Sequence, residues 1–422
     1  MFKFHNFSLA ASLWLWLMTA AAVSASAQQT LTWEQVRLRF EQNNPTLLAG
    51  KLSIDESKAQ EITAFLRPNP SLSLGVDQIN PFSGGPPHST FGSLLTTAST
   101  SYLYERRHKR ELRLESAKEG TAIAAATQDD LERNLLFSLR GAFVETLQAK
   151  AVLNVAKENL AYYDHVLDIS RDRFKAGDIA QIDLDRMELQ RVQFESDLQT
   201  AEVNLRTAKI QLLMLLNDRT PVEQFDVTGP FDFNDQIAPL DDFRKIAVDT
   251  RPDLRAAAQA VEKAKTDHKL AVANGSTDPT LGFDVGRNPP IDQYVGFNVS
   301  IPLRIFDRNQ GEKLRTQLDI DRNQRLLDAA QMQVFSDVDS AYATLNSNLI
   351  LLRPYKAKYL QQAVRVRETV TFAYQHGGAS LLDFLSAEND YRSIQLNYVN
   401  LVGSYLTSAS QLNLAVGREV IQ

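Results

Sequence analysis

The residues with the clearest potential for chemistry are acidic side chains that recur at matched positions in two distant segments. Residues 174–188 (FKAGDIAQIDLDRME) align with residues 374–388 (YQHGGASLLDFLSAE) at a constant separation of 200 positions, which places Asp183 on Asp383. A carboxylate in the first turn of a helix meets the positive end of the helix dipole. The simplest interpretation is therefore that each aspartate caps the helix that follows it.

Other residue types form no catalytic pattern. Cysteine is absent, which excludes disulfides and thiolate metal sites. The histidines beyond the N-terminal segment, at positions 88, 108, 165, 268 and 376, are scattered and form no HExxH motif. We find no nucleotide-binding loop, nucleophile elbow or paired-carboxylate motif. We therefore expect no enzyme activity and no cofactor.

The charge balance excludes one class of partner, and the N-terminus indicates export. With 45 Lys and Arg against 51 Asp and Glu, the chain carries no sign of a polybasic nucleic-acid binder. Residues 1–27 combine Lys3, a short apolar core at 7–18 (FSLAASLWLWLM) and the small-residue site Ala-Ser-Ala at 25–27. Because about 20 apolar residues are needed to span a membrane, this segment is predicted to be a secretory signal.

Several short segments recur in the same order in the two halves of the chain. They are NNPTL at 43–47 with TRPDL at 250–254, PSL at 70–72 with PTL at 279–281, and the two longer segments above, in which Gly177 falls on Gly377 and Glu188 on Glu388. Such ordered pairs indicate a duplication. We therefore divide the chain into the signal 1–27, a first repeat 28–230 and a second repeat 231–422. The connection at 217–239 holds three prolines and is predicted to be irregular.

Each repeat is predicted to contain two amphipathic β-strands. The alternation is clearest in LGFDV at 281–285 and VGFNVSI at 295–301. The predicted strands are about 70–79 and 91–103 in the first repeat, and about 279–286 and 293–301 in the second. A strand with one apolar face fits a barrel wall in lipid, where no sheet edge can stay open. Four strands are too few to close a barrel, so the sequence predicts a barrel shared between chains.

The remainder of the chain has the pattern of long helices. Apolar and small residues recur in steps of three and four through 153–174, 198–215, 338–359 and 391–415. A sustained period of 3.5 residues predicts helices that pack side by side. The predicted helices are a long one at about 105–173 with a returning helix at 181–217, and a long one at about 310–374 with a returning helix at 381–416. Pro354 is expected to kink the third of these.

This duplicated helix–strand–strand–helix unit behind a signal peptide resembles the TolC family of outer-membrane efflux channels over residues 28–422. The most specific marker is IPLRIFDRNQG at 301–311, which is similar to the xPLxxFDRNxG junction of the heavy-metal efflux branch, the relatives of the cobalt–zinc–cadmium exporters. The corresponding junction of the first repeat, YERRHKRELR at 104–113, departs from the Gly-Lys-Arg pattern of that branch.

The resemblance implies a mainly α fold with a transmembrane β-barrel portion. Three chains would form a homotrimer with a twelve-stranded barrel in the outer membrane of a Gram-negative bacterium and a long α-helical tunnel in the periplasm. It further implies a passive channel of a tripartite efflux system, favouring heavy-metal cations as substrates. The implied partners are a periplasmic adaptor protein and an inner-membrane pump of the resistance–nodulation–division type.

The resemblance also implies roles for the two matched turns, 174–183 and 374–383, at the periplasmic tip. The positions carried over to adaptor docking are Ala176, Gly177, Ala180, Gly377, Ser380 and Leu381. The resemblance also assigns Asp383 and Asp183 to the constriction of the channel, where copies around an axis would attract cations. Helix capping remains the alternative for both aspartates, and helix termination for both glycines. The second acidic position of the family, three residues beyond Asp383, is Ser386 here.

Two other functions stay open on the sequence. The same channel could serve the export of drugs or of secreted proteins, because little in the residues separates these cargoes. A soluble periplasmic coiled-coil scaffold would explain the helices, but it leaves the four amphipathic strands without a purpose.

Overall fold

The computed structural model describes residues 29–79, 94–288 and 291–421. The predicted signal segment lies outside them. The chain divides into two compact units, each assembled from three stretches. The first unit comprises the residues up to Pro45, Leu136–Ile237 and Thr344–Ser410, and the second comprises Thr46–Leu135, Ala238–Ala343 and the residues from Gln411 onward. Each unit contains residues of both sequence repeats.

Long helices account for most of the described residues. In chain order the helices are α1 Trp33–Asn43, α2 Pro45–Phe65, α3 Lys109–Ala176, α4 Gln181–Leu215, α5 Leu240–Thr250, α6 Pro252–Asn274, α7 Gln310–Pro354, α8 Leu360–Gln375 and α9 Leu381–Val416. The 68 residues of α3 correspond to about 100 Å at 1.5 Å per residue. None of the helices among the described residues has the length and apolar character needed to cross a membrane.

Three helix boundaries differ from the sequence prediction, each for a backbone reason. Helix α3 begins at Lys109 rather than at about 105, because Arg107 and His108 adopt left-handed φ angles of 60° and 55°. Helix α4 ends at 215 rather than 217, since Asn217 has a φ of 51° and terminates it. The long helix predicted at 310–374 is divided by the π-helical segment Tyr355–Tyr359, directly after Pro354.

The described strands form two sheets. In the first unit, β1 (Gln29–Leu31) pairs in parallel with β4 (Phe225–Val227). The region predicted to be an irregular connection therefore contains a short strand, which that prediction missed. In the second unit, β2 (Ser71–Asp77), β3 (Leu95–Leu103), β5 (Thr280–Asn288) and β6 (Ile291–Ser300) form an antiparallel sheet in the order β2-β3-β5-β6. Of the strand predicted at 91–103, residues 91–93 lie outside the described part of the chain.

The register of the four-stranded sheet separates an apolar from a polar face. Leu72 is opposite Thr100, Thr100 is opposite Phe283, and Phe283 is opposite Phe297. Directly paired residues share a face, so these side chains form one row across all four strands. Its apolar members are largely exposed, with Leu72 at 72% and Phe297 at 83%. The opposite face is built mainly from Ser, Thr, Gly, Asp and Asn residues, together with Leu95, Leu103 and Tyr294.

Candidate functional site

The first predicted tip turn joins α3 to α4 in the first unit. Gly177 has a φ of +87°, which an L side chain rarely adopts. Its amide donates to the carbonyl of Phe174 at 2.9 Å, and the amide of Asp178 donates to the carbonyl of Arg173 at 2.9 Å. These two bonds form a Schellman motif that satisfies the last carbonyls of α3. Gly177 is therefore required for helix termination, whatever else it contacts.

The second turn joins α8 to α9 and has the same construction. Gly377 has a φ of +77°, its amide donates to Tyr374 O at 3.1 Å, and the amide of Gly378 donates to Ala373 O at 2.7 Å. The guanidinium of Arg173 donates to Tyr374 O at 2.8 Å, which connects the two turns within the unit. The duplication noted in the sequence thus produces two equivalent turns that lie side by side.

The two turns differ at the start of the returning helix. Ser380 and Asp383 form a reciprocal cap, in which the Ser380 amide and hydroxyl donate to Asp383 Oδ2 at 3.0 and 2.7 Å, and the Asp383 amide donates to Ser380 Oγ at 3.2 Å. Ala180 occupies the matching position before α4 and has no side chain that can cap. The hydrogen bonds from the Ser380 side chain and backbone hold the pKa of Asp383 below its ordinary value. Asp383 is fully ionised at neutral pH and is exposed.

The predicted tip residues differ in exposure. Ala176, Gly177, Ala180, Gly377 and Ser380 are exposed, while Asp183 is half-buried. Leu381 is only 8% exposed and belongs to the core cluster beneath the turns. The buried members of this cluster are Tyr163, Val166, Leu167, Leu184, Met187, Phe194, Tyr374, Leu381 and Phe384. Leu381 therefore supports the turn by packing and offers little side-chain surface to a partner.

A buried carboxyl group, that of Glu388, lies below the second turn, and sequence reasoning missed its burial. Glu388 is 3% exposed, and its Oε1 has no hydrogen-bond partner. Burial raises the pKa of Glu388 to about 7, with the charge of Arg367 opposing the shift. The guanidinium of Arg367 lies between two tyrosine rings, 4.0 Å from the centroid of Tyr162 and 3.6 Å from that of Tyr391.

The matched glutamate of the first repeat has a different environment. Glu188 is exposed and pairs with Arg171, whose Nη2 lies 3.1 Å from Glu188 Oε1. The alignment of 174–188 with 374–388 placed these two glutamates together, but it carried no information on burial. The sequence signal for this difference was the position of the arginine. Arg171 matches Thr371, and the second repeat carries its arginine four residues earlier, at Arg367.

Among residues 29–79, 94–288 and 291–421, no group of three or more His, Cys, Asp or Glu side chains is arranged to hold a metal ion. The two turns and the helices next to them thus offer an ionised, exposed carboxylate on α9 and a buried carboxyl group whose pKa is raised to about 7.

Comparison with known proteins identifies the family. The family described as outer membrane efflux protein matches residues 38–218 and 244–418. Two characterised relatives are similar in sequence. The chain is 22% identical to the cobalt-zinc-cadmium resistance protein CzcC of Cupriavidus metallidurans over 386 residues, covering 89% of this chain and 87% of CzcC. It is 24% identical to the pyoverdine export outer membrane protein OpmQ of Pseudomonas aeruginosa over 332 residues, covering 76% of this chain and 69% of OpmQ.

Solved structures show the same fold at low sequence identity. CusC matches with a TM-score of 0.76 at 18% identity, covering 92% of this chain and 95% of CusC. The open state of the MtrE outer membrane channel of Neisseria gonorrhoeae matches with a TM-score of 0.75 at 18% identity, covering 95% and 94% of the two chains. The predicted fold class, mainly α with four strands from a duplicated unit, is confirmed, as is the resemblance inferred from the junction 301–311. The chain belongs to the outer membrane efflux protein family, whose members are outer-membrane channels rather than enzymes.

Proposed function

We propose that three copies of this chain form a closed barrel in the outer membrane and serve as the exit duct of a tripartite efflux system. The observation that carries this proposal is the four-stranded sheet with one exposed apolar face. Within the described residues, β2 and β6 each pair on one side only. A sheet in lipid must satisfy every edge, and four strands cannot enclose a lumen. Pairing of β6 with β2 of the next copy resolves both problems, and three copies give twelve strands.

The absence of native cysteine makes this pairing directly testable. Ser73→Cys on β2 is combined in turn with Asn298→Cys and Ser300→Cys on β6, and the outer-membrane fraction is oxidised. We expect covalent dimers and trimers for the pair in register, because disulfides form only when Cβ atoms are close. Ser99→Cys with Asp284→Cys is the control, since these residues are directly paired within one chain and should yield monomers. Exclusively monomeric products from both β2–β6 combinations would refute the shared barrel.

The tip turns are the proposed contact with the rest of the system. A periplasmic adaptor would dock on the exposed positions Ala176, Gly177, Ala180, Gly377 and Ser380, with Leu381 supporting them from the core. The adaptor would connect the channel to an inner-membrane pump of the resistance–nodulation–division type. A cysteine at Ala176 or Ala180 should cross-link to the adaptor in cells, whereas a cysteine at exposed Leu326 on α7 should not.

Heavy-metal cations are the proposed cargo. The cobalt-zinc-cadmium resistance protein matches 89% of this chain, compared with 76% for the pyoverdine exporter. Asp383, ionised and exposed on α9, would attract cations at the constriction of the channel, with Asp183 as a weaker contributor. A deletion strain should lose tolerance to cobalt, zinc or cadmium and regain it from a plasmid copy. Loss of pyoverdine export with normal metal tolerance would favour the second cargo instead.

A further inference from the structure

The junction between β6 and α7 carries exposed apolar side chains beyond the end of the strand. Apolar residues alternate along β6 at Val295, Phe297 and Val299, which are 64%, 83% and 62% exposed. The alternation continues beyond the last residue of the strand into the junction. Ile301, Leu303 and Ile305 are 54%, 80% and 62% exposed. The exposed apolar row therefore continues past the end of the strand as far as Leu303, where the amide of Ile305 donates to the carbonyl of Leu303 at 3.0 Å and turns the chain.

The same junction holds Phe306 outward, at 90% exposure. A phenylalanine so fully exposed costs free energy in water, because its apolar surface stays hydrated. An unstructured loop could relieve this cost by folding the ring inward. The turn 306–310 is instead held by polar side-chain contacts, which fix the backbone from which the exposed ring of Phe306 projects.

The motif FDRN supplies these fixing contacts. Asp307 Oδ1 accepts from the amide of Asn309 at 2.8 Å, and Asn309 Nδ2 donates to the carbonyl of Ala271 on α6 at 2.7 Å. Asn309 adopts a φ of 61°, a left-handed conformation that asparagine tolerates better than most residues. Gln310 completes the turn, accepting from the amide of Arg308 at 2.8 Å and donating to the carbonyl of Phe306 at 3.2 Å. The polar residues of the motif hold the apolar ones in place.

Two arginines stand among these apolar side chains. Arg304 is half-buried between Leu303 and Ile305, and Arg308 is exposed two residues beyond Phe306. The carboxylate of Asp307 lies between them in sequence, so the segment 301–308 carries one net positive charge, and Asp307 Oδ1 is engaged within the turn. An apolar row that ends in arginines matches the boundary of a membrane, where acyl chains give way to phosphate groups.

From this arrangement we infer that the junction 301–308 is a membrane anchor, which inserts Phe306 beside the acyl chains and binds the phosphate of anionic phospholipids through Arg304 and Arg308. This inference rests on the proposed barrel, because the anchored row is the continuation of the lipid-facing row of β6. It assigns the FDRN motif a function at the membrane–water boundary where β6 ends. This function is separate from the conduction path and from the two turns proposed for adaptor docking.

Fluorescence quenching by brominated phospholipids tests the insertion. Trp14 and Trp16 lie in the predicted signal, so Trp33→Phe leaves the exported chain without tryptophan. Phe306→Trp in this background, reconstituted in vesicles of brominated phosphatidylcholine, should lose more than about half of its emission relative to unbrominated vesicles. Phe335→Trp is the matched control, because it lies 25 residues beyond the start of α7, about 38 Å along the helix. It should keep its emission.

A third probe separates failure of this inference from failure of the proposed barrel. Phe297→Trp reports on the strand itself. Quenching at position 297 without quenching at 306 would overturn the anchor and leave the barrel intact, and it would indicate that Phe306 packs against another protein surface. Absence of quenching at both positions would overturn the barrel together with the anchor.

The headgroup preference is tested with the same probe at position 306. Brominated phosphatidylglycerol at ten mole percent should quench more than brominated phosphatidylcholine at the same fraction, by about fivefold in local enrichment for each effective arginine. Arg304→Gln with Arg308→Gln should remove the preference, whereas Arg322→Gln with Arg325→Gln on α7 should keep it. Equal quenching by the two lipids in the wild-type background would overturn the phosphate contact, and added inorganic phosphate should not compete.

Discussion

Replacing Glu388 by glutamine should remove a pH-dependent loss of stability in α8 and α9 of the first unit. The carboxyl group is 3% exposed, its Oε1 has no hydrogen-bond partner, and its pKa is raised to about 7 by burial. Arg367 on α8 is the charged group that acts on Glu388, and Glu368 on α8 and Glu158 on α3 act on the neighbouring Tyr391. The surrounding tyrosines have pKa values raised by burial and do not titrate near neutrality. Burial therefore brings the pKa of Glu388, but not those of these tyrosines, close to neutrality.

The sign and size of the effect follow from proton linkage. Between the ordinary pKa of 4.5 and the folded value of about 7, the folded protein holds a proton that the opened chain releases. Stability from this group is therefore complete at low pH and falls as the pH rises through that window. The shift corresponds to about 3 kcal/mol once the carboxylate is charged, of which about 2 to 3 kcal/mol are lost between pH 5 and pH 8.

Amide hydrogen exchange on the assembled protein measures this loss locally. After correction for the chemical exchange rate, protection in α8 and α9 should fall roughly 50-fold between pH 5 and pH 8. Glu388→Gln should abolish most of this fall, because the amide carries no charge. Glu188→Gln is the matched control and should behave as the wild type, since Glu188 is exposed and paired with Arg171. Wild-type protection that stays constant from pH 5 to pH 8 would refute the reasoning.

Three further substitutions test features that stabilise each unit separately, two in the first unit and one in the second. Gly377→Ala should cost about 1 to 2 kcal/mol of amide protection in α8 and α9 because of its φ of +77°, whereas Gly311→Ala in α7 should be neutral or slightly stabilising. Ser380→Ala should cost about 1 kcal/mol in the same exchange measurement by removing the cap of α9. Arg251→Ala should lower the unfolding free energy by about 3 to 5 kcal/mol in denaturant, because Arg251 is 5% exposed and joins two aspartates. Arg315→Ala, which breaks an exposed pair, should cost less than about 1 kcal/mol.

The strands and the matched turns could be predicted because each depends on a local rule. A period of two along 281–285 and 295–301 is a direct consequence of one apolar and one polar sheet face. Glycine at 177 and 377 follows from the left-handed angle that ends each helix. The pairing of β3 with β5 joins the two hairpins into one sheet, and it could not be predicted, since it depends on contacts between residues far apart in the chain.

The burial of Glu388 shows where a duplication stops being informative. Leu167 of the first repeat matches Arg367, and Arg171 matches Thr371. The arginine of the second repeat therefore lies one helical turn earlier than that of the first. Arg171 pairs with an exposed glutamate, whereas Arg367 lies between the rings of Tyr162 and Tyr391. The alignment preserves the glutamate in both copies, and only the surrounding packing determines that Glu388 is the buried one. We therefore expect the hairpin of α8 and α9, rather than that of α3 and α4, to respond to the pH of the surrounding compartment.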